Sequence, residues 1–331
     1  MAAVDWARES MTPGTPAWIR VREGISQLLG GVGGIELENP TSGLDDGRNP
    51  ASSSVLLVTF PSSPAAGRYA IKFSDESPEA IDRLKRQVRI LKALWGRTPV
   101  PAVIAAELDS EQFGLPALVT TADGTPLIDE YPRLSETART GIVRQLAGIV
   151  RSIHLTPLEA LGIGDALSAA EIQTGWREDA LWYRRNASRA GQFAPQVEEW
   201  AGVLENQQPA PGEACLVHRD IHPYNVLVRG EEVVAVVDWD FAGVSSPYED
   251  VAKAAIGLLT MMNAPREEKS NLARSFVHAY AAESASDEAL LRARLKPFAL
   301  DTLLDWIVGG KNAPRSELVW AAVQMLGPGA S

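Results

Sequence analysis

A single cysteine, Cys215, stands in 331 residues, so no disulfide can form within the chain and a reducing compartment fits best. It precedes Leu216-Val217 in an apolar segment, where a cysteine reads as a small buried hydrophobe rather than a nucleophile. Long apolar runs are missing as well. Ala254 to Met262 is too short to cross a bilayer and follows Lys253. Met1 to Arg20 carries Asp5, Arg8 and Glu9 and lacks the continuous apolar core of a signal peptide. These absences point to the cytoplasm and away from a membrane partner. Positive charge is scarce: 31 Lys and Arg against 42 Asp and Glu leave a formal net charge of −11. That balance disfavours nucleic-acid binding through a basic surface. It would suit a cationic substrate, although acidity serves solubility equally well.

What is present is an ordinary globular composition, 45% hydrophobic and 22% charged, in a chain long enough for a sizeable core and two lobes. The chain is organised around Cys215 to Asp240. Two short apolar strands, Val226 to Val228 and Val233 to Val237, each follow a polar loop, and together they form a hairpin. Asp220 and Asn225 fall in the first loop and Asp238 at the end of the second strand. Three oxygen-bearing side chains at the ends of one hairpin suit Mg²⁺, which takes one or two protein ligands alongside substrate phosphates. Turns favour Asp and Asn for their own reasons, so any one of the three alone would carry no message.

The ordered set carries more. His218-Arg219-Asp220 with Asn225 resembles the catalytic loop of protein-kinase-like enzymes. His222-Pro223 after the Asp, and Asp238-Trp239 in place of Asp-Phe-Gly, narrow the resemblance to the aminoglycoside phosphotransferase-like family of small-molecule kinases. The likeness covers Val55 to Asp250. It implies an α+β, bilobal protein-kinase-like fold: a β-rich N-terminal lobe with the nucleotide-binding sheet and the start of the hinge (1–121), and a mainly helical C-terminal lobe with the catalytic loop and substrate pocket (122–331). It also implies ATP (or GTP) and Mg²⁺ as cofactors, Asp220 as catalytic residue, and Asn225 and Asp238 as metal ligands.

Earlier in the chain, Thr15-Pro16 opens a helical pattern that Gly30 to Gly34 stops. The loop from Pro40 to Ser54, rich in Ser, Thr and Gly, matches the phosphate-covering loop, with Ser53 as a donor; Asp45-Asp46 fits a plain solvated hairpin loop instead. Gly67 to Phe73 reads as a strand with Tyr69, Ile71 and Phe73 on one face and Lys72 on the other. Lys72 matches the phosphate-binding lysine of the family. In the next helix, Ile81, Leu84, Val88, Leu91 and Trp95 form the expected buried stripe, and Gln87 takes the place where the family pairs the lysine with a Glu. On a helical wheel Gln87 lies about 70° from the centre of that stripe, at its border. An amide there could orient Lys72 but supplies no opposite charge. Leu118 to Gly124 takes the place of the hinge, where backbone at Thr120 and Ala122 could meet an adenine edge.

Thr137 to His154 reads as an amphipathic helix closed by a structural histidine, and Glu171 to Trp200 as helical. Trp176 and Asp179 in the latter are candidate pocket residues, because the family builds substrate sites there; core membership is the alternative for such aromatics. Asp250 matches the aspartate that supports the catalytic-loop backbone. Asp301 and Asp305, four apart on one helix face, could attract an amine, with a solvated face as the plainer reading. Asp238 to Asp250 leaves no room for an activation loop, which sets protein kinases aside. The reading is therefore Mg²⁺-dependent transfer of the ATP γ-phosphate to a hydroxyl of a small molecule, possessing positive charge in the simplest case, by a monomer or homodimer. An antibiotic built on sugar or nucleoside units leads; a choline, sugar or homoserine kinase and a non-catalytic nucleotide-binding module are the alternatives.

Overall fold

The computed structural model of the protein describes residues 14–29, 36–38, 53–60, 67–161, 169–208, 214–310 and 314–326. The expected glycine stop at 30–34 and residues 40–52 of the expected phosphate loop lie outside them. The chain divides into two compact units between Gly124 and Thr125.

Among the described residues, the first unit is an antiparallel sheet with two helices. Its strands are β1 (Glu36–Glu38), β2 (Ser53–Phe60), β3 (Gly67–Ser74), β4 (Val103–Glu107) and β5 (Ala117–Thr121), ordered β1-β2-β3-β5-β4. Alternation sends Leu56 and Val58 of β2, Ile71 and Phe73 of β3, and Ala117 and Val119 of β5 into one core with Ala17, Val21 and Ile25 of helix α1 (Pro16–Leu29). Phe113 closes this core, and a Cβ at Gly24 would meet its ring at 2.8 Å. The close approach of α1 therefore depends on a bare backbone at residue 24.

Helix α2 (Pro78–Leu94) packs on β3, β4 and β5, capped by the Ser77 hydroxyl, which accepts from the Ala80 N–H at 3.3 Å. Its buried stripe differs from the expected one. Ala80, Leu84, Gln87, Ile90, Leu91 and Leu94 are buried, whereas Ile81 and Val88 are half-buried and Trp95 is 58% exposed. The sheet takes the face that lets two small or flexible side chains, Ala80 and Gln87, approach it, and the bulky indole ends outside the last turn. Gln87 is thus within the buried face, 4% exposed, rather than at its border.

The second unit is mainly helical. It contains β6 (Thr125–Pro126), α3 (Leu127–Glu130), α4 (Glu136–His154), α5 (Ala169–Asn186), α6 (Ala194–Glu205), β7 (Cys215–Val217), β8 (Val226–Arg229), β9 (Glu232–Val236), β10 (Gly243–Ser245), α7 (Pro247–Thr260), α8 (Arg266–Glu283), α9 (Glu288–Gly309) and α10 (Arg315–Leu326). Strands β6-β8-β9 form one small sheet and β7 pairs with β10 in another. The stretch expected as one helical region from Glu171 to Trp200 is interrupted at Ala187–Phe193, a tighter 3₁₀ segment with Gly191 at φ +63°. A left-handed glycine ends helical propagation, and Pro195 suits the first turn of the helix that follows. Helix α7 is buried along most of its length and packs against α8, α9, α10 and β7, which makes it the post on which the loop at 218–225 rests.

Candidate active site

Residues 218–225 leave β7 and return into β8 as a loop whose shape is set by helix α7. The buried carboxylate of Asp250 accepts from the backbone N–H of His218 at 2.8 Å and of Arg219 at 2.7 Å. His154, at the end of α4, donates from Nε2 to Asp250 Oδ2 at 3.2 Å, and its Nδ1 meets the Tyr280 hydroxyl at 2.8 Å. One turn along α7, the Lys253 ammonium donates to the Arg219 carbonyl. Another turn on, a Cβ at Gly257 would lie 2.9 Å from Pro223 Cδ, 3.0 Å from His222 Cβ and 3.2 Å from His222 Cα. Residues 250, 253 and 257 form one helical stripe, so a single helix face grips both ends of the loop.

That grip has a conformational purpose. Arg219 sits at φ +66°, a region that costs a non-glycine residue about 1–3 kcal/mol unless its surroundings hold it there. Asp250 and Lys253 hold its N–H and C=O from either side, and Glu249 pairs with its guanidinium at 3.4 Å. The turn aims the next side chain, Asp220. His218 fixes the turn internally: its Nδ1 accepts from the Asp220 N–H at 3.2 Å and its Nε2 donates to the Val237 carbonyl at 3.0 Å. Acceptance at Nδ1 requires the neutral ring, and burial pushes the His218 pKa down accordingly. Gly257→Ala is expected to lower stability by about 1–3 kcal/mol, because the added methyl meets the Pro223 ring and the Cβ and Cα of His222, none of which is the far end of a flexible side chain. Urea denaturation measures it, with Gly148→Ala in α4, where nothing lies within 4 Å, as the control that loses no stability.

Asp220, Asn225 and Asp238 are brought together by the hairpin register. Val226 pairs with Val236, and the Val237 N–H donates to the Asn225 carbonyl at 2.9 Å, so Asn225 and Asp238 stand at the same end of β8–β9. Asp238 is left-handed, at φ +65°, where the strand turns away. Asn225 Nδ2 donates to the Asp220 carbonyl at 2.9 Å and to Asp220 Oδ2 at 3.2 Å, which leaves its amide oxygen without a protein partner among the described residues. Burial raises the Asp220 pKa, but the hydrogen bond from His222 and the charge of Lys253 outweigh it and hold the carboxyl well below the usual carboxylate range. Among the described residues no group of three or more His, Cys, Asp or Glu could hold a metal. An amide oxygen from Asn225 and a carboxylate from Asp238 instead fit a hard cation that takes few protein ligands and completes its shell with phosphate oxygens and water, as Mg²⁺ does.

In the first unit, Lys72 pairs with Val55 and Leu118 across β3 and alternates away from Ile71 and Phe73. Ser53 begins β2 opposite Ser74, and its side chain lies outside what is described. Thr120 is paired on both sides, with Ala70 and Val103, and the Ala122 N–H donates to the Arg68 carbonyl at 2.8 Å. The carbonyl of Ala122, not its N–H, is then the group it could offer a purine edge.

The candidate substrate residues separate. Trp176 is a core side chain, its ring T-shaped against Phe298 at 5.0 Å. Asp179 and Tyr183 on α5 and Asp301 and Asp305 on α9 form two facing i, i+4 stripes. Asp301 is no solvated surface acid: the Tyr183 hydroxyl donates to it at 2.9 Å, and burial together with the Asp179 charge pushes its pKa up to about 7. Burial and the charges of Asp305 and Glu178 raise Asp179 as well. The α9 turn that carries Asp305 also carries Trp306, whose ring centroid lies 6.5 Å from that of His222, so this acidic stripe adjoins the loop at 218–225. Lys253, Gly257 and Tyr183 were not singled out from sequence. A stripe of Lys253 and Gly257 three and seven residues after Asp250 was the available signal.

The sequence model of the phosphotransferase enzyme family matches residues 50–297. Among solved structures, a macrolide 2'-phosphotransferase from Brachybacterium faecium superposes with a TM-score of 0.60 at 19% identity, covering 94% of this chain and 99% of that one. An aminoglycoside phosphotransferase of the APH(2'') class, in complex with GDP and kanamycin, gives 0.59 at 17% identity, covering 91% and 95%. These likenesses establish an α+β, protein-kinase-like fold. A mouse protein, acyl-CoA dehydrogenase family member 10, is 27% identical over 178 residues, which make up 52% of this chain and 16% of that protein's length. No helix among the described residues is long and apolar enough to cross a membrane.

Proposed function

This chain belongs to the phosphotransferase enzyme family, and on that premise we propose that it transfers the γ-phosphate of ATP (or GTP) to a hydroxyl of a small, cationic molecule. The observation that carries the reading is the end of the β8–β9 hairpin, where an ionised Asp220 and the donor pair Asn225 and Asp238 stand together. The acceptor oxygen attacks the γ-phosphorus, the bond from that phosphorus to the β,γ-bridging oxygen breaks, and the hydroxyl proton passes to Asp220. Phosphoryl transfer has a loose transition state that asks little deprotonation of the nucleophile in advance, so a carboxylate of low basicity suffices to orient the hydroxyl and take its proton late. Asn225 and Asp238 would hold Mg²⁺, which neutralises charge on the phosphates when bound. Lys72 is assigned to the nucleotide phosphates, Gln87 to orienting Lys72, and Ser53, Thr120 and the Ala122 carbonyl to the nucleotide.

The facing stripes of Asp179, Asp301 and Asp305 supply the acceptor side. Asp179 and Asp301, whose pKa values burial and the neighbouring carboxylates raise, are relieved by a bound cation, which favours an amine-bearing alcohol such as an aminoglycoside. A metabolite kinase is the second reading. The mouse relative's acyl-CoA name adds hydroxyacyl thioesters to its candidate acceptors, but their anionic groups would meet these carboxylates unfavourably.

The test is a panel of aminoglycosides, macrolides, choline, homoserine, sugars and hydroxyacyl thioesters, scored by ADP release and by the mass of the phosphorylated product. Turnover of an amine-bearing alcohol supports the reading. Turnover confined to neutral or anionic acceptors removes the cationic assignment, and nucleotide binding with no product from any alcohol removes the enzyme. With a cationic acceptor, Asp305→Asn is expected to raise the acceptor KM about tenfold at unchanged kcat, as loss of uniform binding requires.

A further inference from the structure

Two donors meet one oxygen of Asp220. Asn225 Nδ2 lies 3.2 Å from Oδ2 and His222 Nε2 lies 3.5 Å from the same atom. Oδ1 accepts no bond from any described residue. The crowding at Oδ2 is not forced by a shortage of room for other arrangements of the imidazole, because the ring's second nitrogen, Nδ1, is buried with no hydrogen-bond partner. A ring placed to satisfy its own nitrogens would have turned to find one.

Packing explains why it does not turn. His222 is 7% exposed, and its Cα and Cβ rest where a side chain on residue 257 would have to be. The Tyr224 and Trp306 rings stand edge-on to it, with centroids at 6.0 and 6.5 Å. Helices α7 and α9 therefore hold the imidazole in one orientation by contact alone. In that orientation Nε2 lies 3.5 Å from Asp220 Oδ2 and 3.3 Å from Asn225 Nδ2, and with its hydrogen on Nε2 the ring shares the carboxylate oxygen with that amide.

We infer that His222 is a positioning residue: with Asn225 it clamps Oδ2 of Asp220, so that Oδ1 is the oxygen turned to the acceptor hydroxyl. A carboxylate with both oxygens uncommitted can rotate about its Cβ–Cγ bond and offer either one along several directions. With Oδ2 held at two points that rotation stops, and the reactive oxygen is fixed relative to the loop before an acceptor arrives. Asn225 thereby serves twice, through Nδ2 on Asp220 and through Oδ1 on the cation, which ties the placement of the carboxylate to that of the metal. The inference rests on Asp220 being the residue that takes the acceptor proton.

The geometry sets an unusual test, because Gln and Asn reproduce different nitrogens of histidine. A Gln amide nitrogen falls near Nε2 and can reach Oδ2. An Asn amide nitrogen falls near Nδ1 and cannot. Steady-state ADP release from ATP–Mg²⁺ is measured for His222→Leu, His222→Asn and His222→Gln, with kanamycin as the acceptor probe and water as a second acceptor. Thermal melting and ATP binding are recorded for each protein. His222→Leu and His222→Asn are expected to lose about 10- to 100-fold in kcat, the usual cost of removing a group that orients a reactive residue. KM values and the ATP Kd are expected to stay within about twofold, and His222→Gln to regain most of the lost kcat.

Equal losses in Gln and Leu, a defect confined to KM, or wild-type turnover in His222→Leu overturns the inference. So does loss of the melting transition in all three variants, which would make the ring a packing element only. Asp220→Asn in the same assay separates this idea from its premise. Undiminished turnover in that variant defeats the assignment of Asp220, whereas its loss beside a fully active His222→Leu defeats the clamp alone.

Discussion

Replacing Asp220 by Asn is expected to lower kcat by about 10²–10⁴-fold, the range a positioned proton acceptor contributes, while the Kd for ATP changes little. The two side chains have the same shape, and the Asn225 amide can still donate to an amide oxygen at position 220, so the loop keeps its form. What disappears is the negative charge and the site for the proton. Product formation measured alongside ATP binding distinguishes this from unfolding, and unaltered kcat would end the assignment. The pH dependence of the native enzyme sharpens it. Because the folded-state pKa of Asp220 is depressed, the carboxylate is ionised throughout the neutral range. An acid limb of the rate profile near neutrality would therefore belong to another group. The same depression is a stability contribution that is complete above the ordinary carboxylate value and is lost as pH falls through the folded one.

Asp250→Ala is expected to cost about 3–5 kcal/mol, the range for removing one member of a buried charged network. The carboxylate is fully buried and takes three donors, His218 N–H, Arg219 N–H and His154 Nε2. Truncation leaves all three without an acceptor where water is scarce, and frees Arg219 from the left-handed backbone that aims Asp220. Asp250→Asn keeps one acceptor oxygen but sets an amide N–H against a donor, so it is expected to recover only part of the loss. Urea denaturation followed by tryptophan fluorescence measures both, and a change below about 1 kcal/mol for Ala would show that the network is not what holds the loop.

Acid should reproduce the effect gradually. Burial opposes ionisation of Asp250, but the hydrogen bond and charge of His154 prevail and depress its pKa, so its contribution is present above the unfolded carboxylate value and lost as pH falls below it. His218 acts earlier. Its folded pKa is lowered by burial, so the unfolded chain takes up a proton first as pH drops below about 6.5, and stability declines from there. Both groups bend the curve the same way.

Gln87 shows how a helical wheel can misplace a residue. It was placed by alignment of the apolar stripe, and the wheel was drawn around Trp95 and Val88, the bulkier side chains. The sheet accepts the face it can approach closely, and the indole is left at the helix end. Asp301 fails in the opposite sense. Its i, i+4 relation to Asp305 looked like a solvated face, because nothing near it in sequence says that Tyr183, more than a hundred residues earlier, covers it.

The polar loop with Asp220 and Asn225 and the apolar strands up to Asp238 were enough to specify the hairpin, because strand alternation and turn length are local and leave a direct imprint on residue order, while the family came from the resemblance of His218 to Trp239. Lys72 and its face of the strand follow from the same periodicity. Of the hold exerted by α7, only Asp250 was read, and that through the family resemblance. Asp250 and Lys253 act on backbone N–H and C=O groups that every residue carries, so the side chains of the loop bear no mark of the contact. Gly257 matters only for what it lacks, and the pKa of Asp301 depends on which remote side chains exclude water from it. Close approach and desolvation are properties of the assembled chain, and only the packed helices decide them.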